Sequence, residues 1–187
     1  MRYLLTCAAL MLAAPAFAQE APDRAEGLAA WDRIFTVTAH PRCTNCHVGE
    51  EGQPMWQGLG YGPEAVHGMN VRAGESRIGA ESIPCDACHV TSAAANTVPH
   101  APPHIDDAWR LPPVELAWFG KSSAEVCIQL RDPDIASLVD HLQNSAFVNW
   151  GFAPGAGRSV PEGTLDALVH DVRVWGAAGT PCAGDQG

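Results

Sequence analysis

One five-residue frame, C-x-x-C-H, occurs twice: CTNCH at Cys43–His47 and CDACH at Cys85–His89. Two cysteines so close can hold a metal, act as a redox pair or close a disulfide. Four thiolates suit zinc, but zinc does not require a histidine directly after each second cysteine. Covalent haem attachment does require it. The two thiols add to the two vinyl groups of one porphyrin, and the next residue then sits under the iron as an axial imidazole. The frames therefore predict two covalently bound haem c groups. Cys43 and Cys46 hold haem 1 with His47 as proximal ligand; Cys85 and Cys88 hold haem 2 with His89. Cys43 and Cys85 stand 42 positions apart, too few for a complete helical cytochrome around each haem. One domain shared by two nearby haems is expected.

The second axial ligand tunes the potential and decides whether the iron is closed or open to small molecules. Beyond the first 18 residues the methionines are Met55 and Met69, and neither follows the second frame. A methionine downstream of its motif is thus available to haem 1 only. The spare histidines are His40, His67, His100, His104, His141 and His170. His170 falls on the polar side of its helix, prolines keep His100 and His104 off a common helix face, and His40 reads as a cap. His67, in HGMN between the two motifs, and His141, at the flank of an apolar helix face, are the expected distal ligands. Met69 and His40 are the alternatives. Arg42 and Arg72 are candidate partners for haem propionates. Trp109, Trp118, Trp150 and Phe152 suit either porphyrin packing or ordinary core.

The elements that position these residues read as helices and long loops. Leu28, Trp31, Ile34, Phe35 and Thr38 share one side of a helix from about Asp23 to Thr38, opposite Arg33 and Val37, and Pro41 stops it. Residues 49–84 are glycine-rich with no sustained period, an ordered loop layer with one helical turn. Residues 91–113 are again loop. Ser122 and Glu125 form a capping box that opens a helix to about Leu130. Two further amphipathic helices follow, around Ile135–Leu142 and Leu165–Trp175. No strand pattern emerges. The expected fold is mainly α with long irregular loops, cytochrome c-like, with two covalent haems in one compact domain.

Residues 1–18 carry an early Arg2, an apolar run and an Ala16-Phe17-Ala18 cleavage site, the pattern of a signal peptide. Periplasmic export follows, with 19–24 as a flexible lead, 25–182 as the dihaem domain and 183–187 as a flexible tail. No later run is apolar enough to span a bilayer. An oxidising compartment favours a disulfide between the two remaining cysteines, Cys127 and Cys182. The net charge of −10 argues against nucleic acid and suits a redox protein partner with a basic docking patch.

With these residues assembled, the chain resembles dihaem c-type cytochromes of bacteria. More narrowly, HPRCTNCH, HGMNVRAG, CDACH, LAWFGKSSAEVCIQL and WGFAPGAGR resemble a group of small exported cytochrome-like proteins labelled as isoquinoline 1-oxidoreductase-associated. The likeness runs from about Trp31 to Cys182. Members often carry methionine where this chain has Leu116. The resemblance implies electron transfer from a periplasmic molybdenum-containing dehydrogenase, not catalysis by this chain. An electron carrier is the leading expectation. The alternatives are a small haem enzyme, peroxidase-like or acting on sulfur or nitrogen compounds, and a gas-binding sensor with one open haem.

Overall fold

The computed structural model describes residues 20–56, 66–79, 83–99 and 101–185. The expected signal peptide, part of the glycine-rich segment 49–84 and His100 lie outside the described residues. Among the described residues, six α-helices joined by long loops and short 3-10 turns make up the regular structure, and there is no strand, only one isolated bridge between Met55 and Val66. No helix among them is long and apolar enough to cross a membrane.

Helix α1 (Arg24–Thr38) begins at a full capping box: the Asp23 carboxylate accepts the Glu26 N–H, and the Glu26 carboxylate accepts the Asp23 N–H. It buries Ala30, Trp31, Ile34, Val37 and Thr38. Val37 departs from the expected exposed side, because α1 packs against both α3 (Ser123–Leu130) and α6 (Leu165–Ala177) and its buried stripe is correspondingly wide. Arg33 does not simply face water either, since its guanidinium grips Asp171 of α6 at 2.7 Å. Pro41 does more than end α1. It starts a second helix, α2 (Pro41–Thr44), where a missing N–H at the first position costs nothing.

Helix α3 (Ser123–Leu130) carries the expected Ser122–Glu125 capping box. Helix α4 (Ile135–Asn144) is capped by Asp134, and α6 (Leu165–Ala177) by Thr164. Helix α5 (Ala146–Phe152) has no counterpart in the sequence pattern. Apart from Ala146 its residues are aromatic, β-branched, Asn or Gly, none of them a strong helix former. Packing supplies what propensity lacks: Phe147 and Trp150 both meet Trp109 edge-to-face at 5.4 Å.

The main core lies among α1, α3, α4 and α6. Trp31 and Trp175 meet at 5.2 Å, and each indole N–H is satisfied, by Ser123 Oγ and Pro181 O respectively. The Cys127–Cys182 disulfide, Cα–Cα 5.9 Å, closes this core. The tail beyond it is tied down: Asp185 accepts the Cys182 N–H and pairs with Arg131. A second, smaller cluster of Val48, Ala73 and Leu111 lies in the loop layer, with Cys46, Met55 and Phe119 against it. Arg77 braces that layer by donating to the carbonyls of Val48, Gly49 and Pro112.

Candidate functional site

Each C-x-x-C-H frame folds as a single helical turn. The first lies at the end of α2, the second in the 3-10 turn Cys85–Ala87. In both, the histidine N–H returns to the carbonyl of the first cysteine, at 3.0 Å for His47 and 2.9 Å for His89. The turn holds two thiols and one imidazole in a compact group. All four thiols are free.

The two motif histidines are held alike. His47 Nδ1 lies 2.7 Å from the Leu116 carbonyl oxygen, and His89 Nδ1 lies 2.8 Å from that of Pro103. A carbonyl can only accept, so Nδ1 carries the hydrogen in each ring and the lone pair is on Nε2. Metal-ligating imidazoles are commonly held in this way, because the bond fixes the tautomer and the ring orientation. Trp118 stacks on His47 at 3.5 Å and Trp109 tilts against His89 at 4.4 Å.

The expected distal residues take up different places. His67 faces His89, with ring centroids 5.8 Å apart. Two imidazoles sharing one metal at bonds of about 2 Å would have centroids about 6 Å apart. His67 Nδ1 is itself 2.9 Å from the Gly68 carbonyl, which again leaves Nε2 as the acceptor. His141 lies on exposed α4 surface yet within the electrostatic reach of His47. His40 is occupied differently: its Nδ1 accepts the Arg42 N–H at 3.1 Å and caps α2, so in the neutral ring Nε2 carries the hydrogen. Met69 is 77% exposed and sits in left-handed backbone (φ 60°) at the rim of a cavity. His104 bonds Ser92 O through Nδ1, and His170 is exposed on α6.

That cavity, of about 380 Å³, runs between the motifs. Cys46, Cys85, Cys88, His67 and His89 line it, with Met55, Trp56, Trp109, Leu111 and Trp150 as apolar wall and Arg42 and Arg158 at its edge. Arg42 stacks over Trp150 at 5.1 Å and donates to Ser159 O. Arg72, by contrast, is paired with Glu51 in the open and is not part of the wall. Trp118 reaches His47 instead, and Phe152 packs against the main core. An apolar slot with three thiols on its wall, two imidazoles across it and arginines at its edge has the chemistry to take a flat, apolar, acidic macrocycle beside the second motif.

Burial governs the titration of these groups. It pushes the Cys43 thiol up to about 12 and that of Cys46 to about 11; Arg42 opposes the rise at Cys46, and Cys85 adds to it. Cys46 of the first motif lines the same cavity as Cys85 and Cys88 of the second, which places the two motifs side by side. Such thiols stay protonated, unlike those of a thiolate redox pair. Among the described residues no three His, Cys, Asp or Glu side chains are gathered to share a metal ion, as a four-thiolate knuckle would need. Burial likewise lowers His47 to about 4 against the opposing Leu116 bond, and lowers His89. At neutral pH these rings are uncharged, the form in which imidazole ligates.

Several residues that shape the site carry no signal in the sequence pattern. Leu116 and Pro103 act through backbone carbonyls, Arg77 through three loop carbonyls, and Asn96 through a clamp described below. Compared with known proteins, the chain matches no family model, no curated protein and no solved structure.

Proposed function

We propose that this chain is a periplasmic dihaem c-type cytochrome that passes electrons from a dehydrogenase to a downstream acceptor. One observation carries the reading: both motif histidines donate Nδ1–H to a backbone carbonyl and present Nε2, and His67 faces His89 across the cavity. Cys43 and Cys46 would tether one haem and Cys85 and Cys88 the other. His47 with His141, and His89 with His67, would be the axial pairs. Bound haem supplies a one-electron couple. The protein's own part is to hold the imidazoles at fixed tautomer, to line the second site with Trp109, Trp150 and Leu111 against water, and to offer Arg42 to an acidic edge. The acidic chain suits a partner with a basic patch, and the resemblance points to a molybdenum-containing dehydrogenase as donor.

The exposure of His141 favours a second reading, in which the first haem is open and the protein is a small haem enzyme or a gas sensor. Protein matured in a host competent for haem attachment decides between them. Intact-chain mass after denaturation should show two haems, and Cys85→Ala should remove one. If both ferric haems are low-spin and the ferrous protein ignores carbon monoxide, the carrier reading stands. A carbon-monoxide adduct at one haem favours the second reading, and a mass without haem defeats both.

A further inference from the structure

The Pro103 carbonyl that fixes His89 lies in a stretch with little backbone bonding of its own. Pro102 and Pro103 have no N–H to donate. What holds the neighbouring peptide is the side chain of Asn96. Its amide Nδ2 donates to His104 O at 2.8 Å, and its Oδ1 accepts the His104 N–H at 3.0 Å. This two-point clamp grips the residue directly after Pro103. Asn96 is in turn held from behind. Its carbonyl accepts the Ala156 N–H at 3.1 Å, and Gly155 (φ 90°) approaches so closely that a Cβ there would lie 2.1 Å from Asn96 O and 2.8 Å from Asn96 Cβ. Arg158 adds a bond to Ala101 O at 2.8 Å. The loop after α5 thus presses on the strap that carries the Pro103 carbonyl.

The first motif has no such arrangement. Its acceptor, Leu116 O, belongs to the turn Val114–Leu116, and the following Trp118 and Phe119 N–H groups return to His47 O. There the backbone bonds directly back to the motif, with Arg77 bracing Pro112 and Val48 on either side.

We propose that Asn96, backed by Gly155, is the positioning residue for His89: it sets the strength of the Nδ1–H bond to Pro103 and, through it, the donor strength of the imidazole at the second haem. The inference rests on the dihaem reading. A tighter Nδ1–H bond makes the ring a stronger donor and stabilises the oxidised metal. Loosening the clamp raises the potential of haem 2 and leaves haem 1 alone.

The test uses mature holoprotein. Asn96→Ala, Asn96→Asp and Gly155→Ala are titrated redox-potentiometrically beside the unaltered chain, and haem 2 is identified as the couple lost in Cys85→Ala. Asp keeps the acceptor of the clamp and loses the donor, so its shift should be the smaller. For Asn96→Ala we expect roughly a tenfold gain in the reduced-to-oxidised ratio of haem 2 at fixed potential, or about 59 mV. Gly155→Ala should move the same couple. The His89 Nδ1 proton should also exchange faster with solvent by paramagnetic NMR. Two covalent haems with no shift, or with both couples shifted equally, overturn the assignment of Asn96 while the dihaem reading survives. A chain without haem overturns both.

Discussion

His67 and His141 differ in one respect that an experiment can use. His67 is already in ring contact with the histidine it would complement, whereas His141 stands on exposed helix surface. His67→Ala should convert one haem to a high-spin, carbon-monoxide-binding form, and the same substitution on a Cys85→Ala background should change nothing further. His141→Ala should open the haem that remains in that background. Optical spectra of the four variants check this; low-spin spectra throughout would return Met69 to consideration for the second site. His40→Ala should leave both spectra unchanged, because its ring is engaged in capping α2. The grouping of each motif's two cysteines and histidine was legible in the sequence, because that spacing brings them together on a single turn. Pro103 and Leu116 were not, since any residue has a carbonyl. Asn96 was not, because its two bonds go to a backbone eight residues away that the loop must first bring back.

Among the elements, α1 comes very close to the segment that follows α6. A Cβ at Gly27 would stand 2.5 Å from Ala178 Cβ and 2.7 Å from Pro181 Cγ. Gly27→Ala should therefore cost about 1–3 kcal/mol by overpacking, outweighing the gain of about 1 kcal/mol in helix propensity. A lowered denaturant midpoint would register it. Ala at the open Gly151 position of α5, where nothing lies within 4 Å, should raise the midpoint. The contrast explains what the pattern could reveal. Helices α1, α3, α4 and α6 announce themselves through caps and periodic apolar residues. Helix α5 does not, because its reason for existing is Trp109, which arrives from a loop far along the chain. The burial of Val37 was missed for a related reason: the sequence shows an apolar side but not how many helices will cover it.

At the scale of the molecule, a helical part carries most of the packing and a loop part carries the motifs. The disulfide locks the first. Its ends are 55 residues apart, a loop whose closure is worth about 4 kcal/mol in the chain-entropy account. Replacing both Cys127 and Cys182 with serine should lower the unfolding free energy by that order, and non-reducing peptide mapping of the unaltered protein should recover the linked pair. Acid should loosen the same end. Hydrogen bonding from Arg131, with the Cys182 N–H, holds the Asp185 carboxyl down at about 2. Its folded value lies below the unfolded one of about 3.9, so its stabilisation is present above pH 4 and lost as pH falls toward 2. Asp185→Asn should flatten the acid limb of the stability curve over that interval.

The bond between His47 and Leu116 also has a meaning in time. The ring and the oxygen that orients it are 69 residues apart, against 14 for His89 and Pro103. A growing or threading chain delivers the first imidazole long before the atom that stops it turning, while the second has its partner almost at once. Becoming fastened and becoming aimed are therefore separate events at the first motif, and only arrival of the later chain joins them.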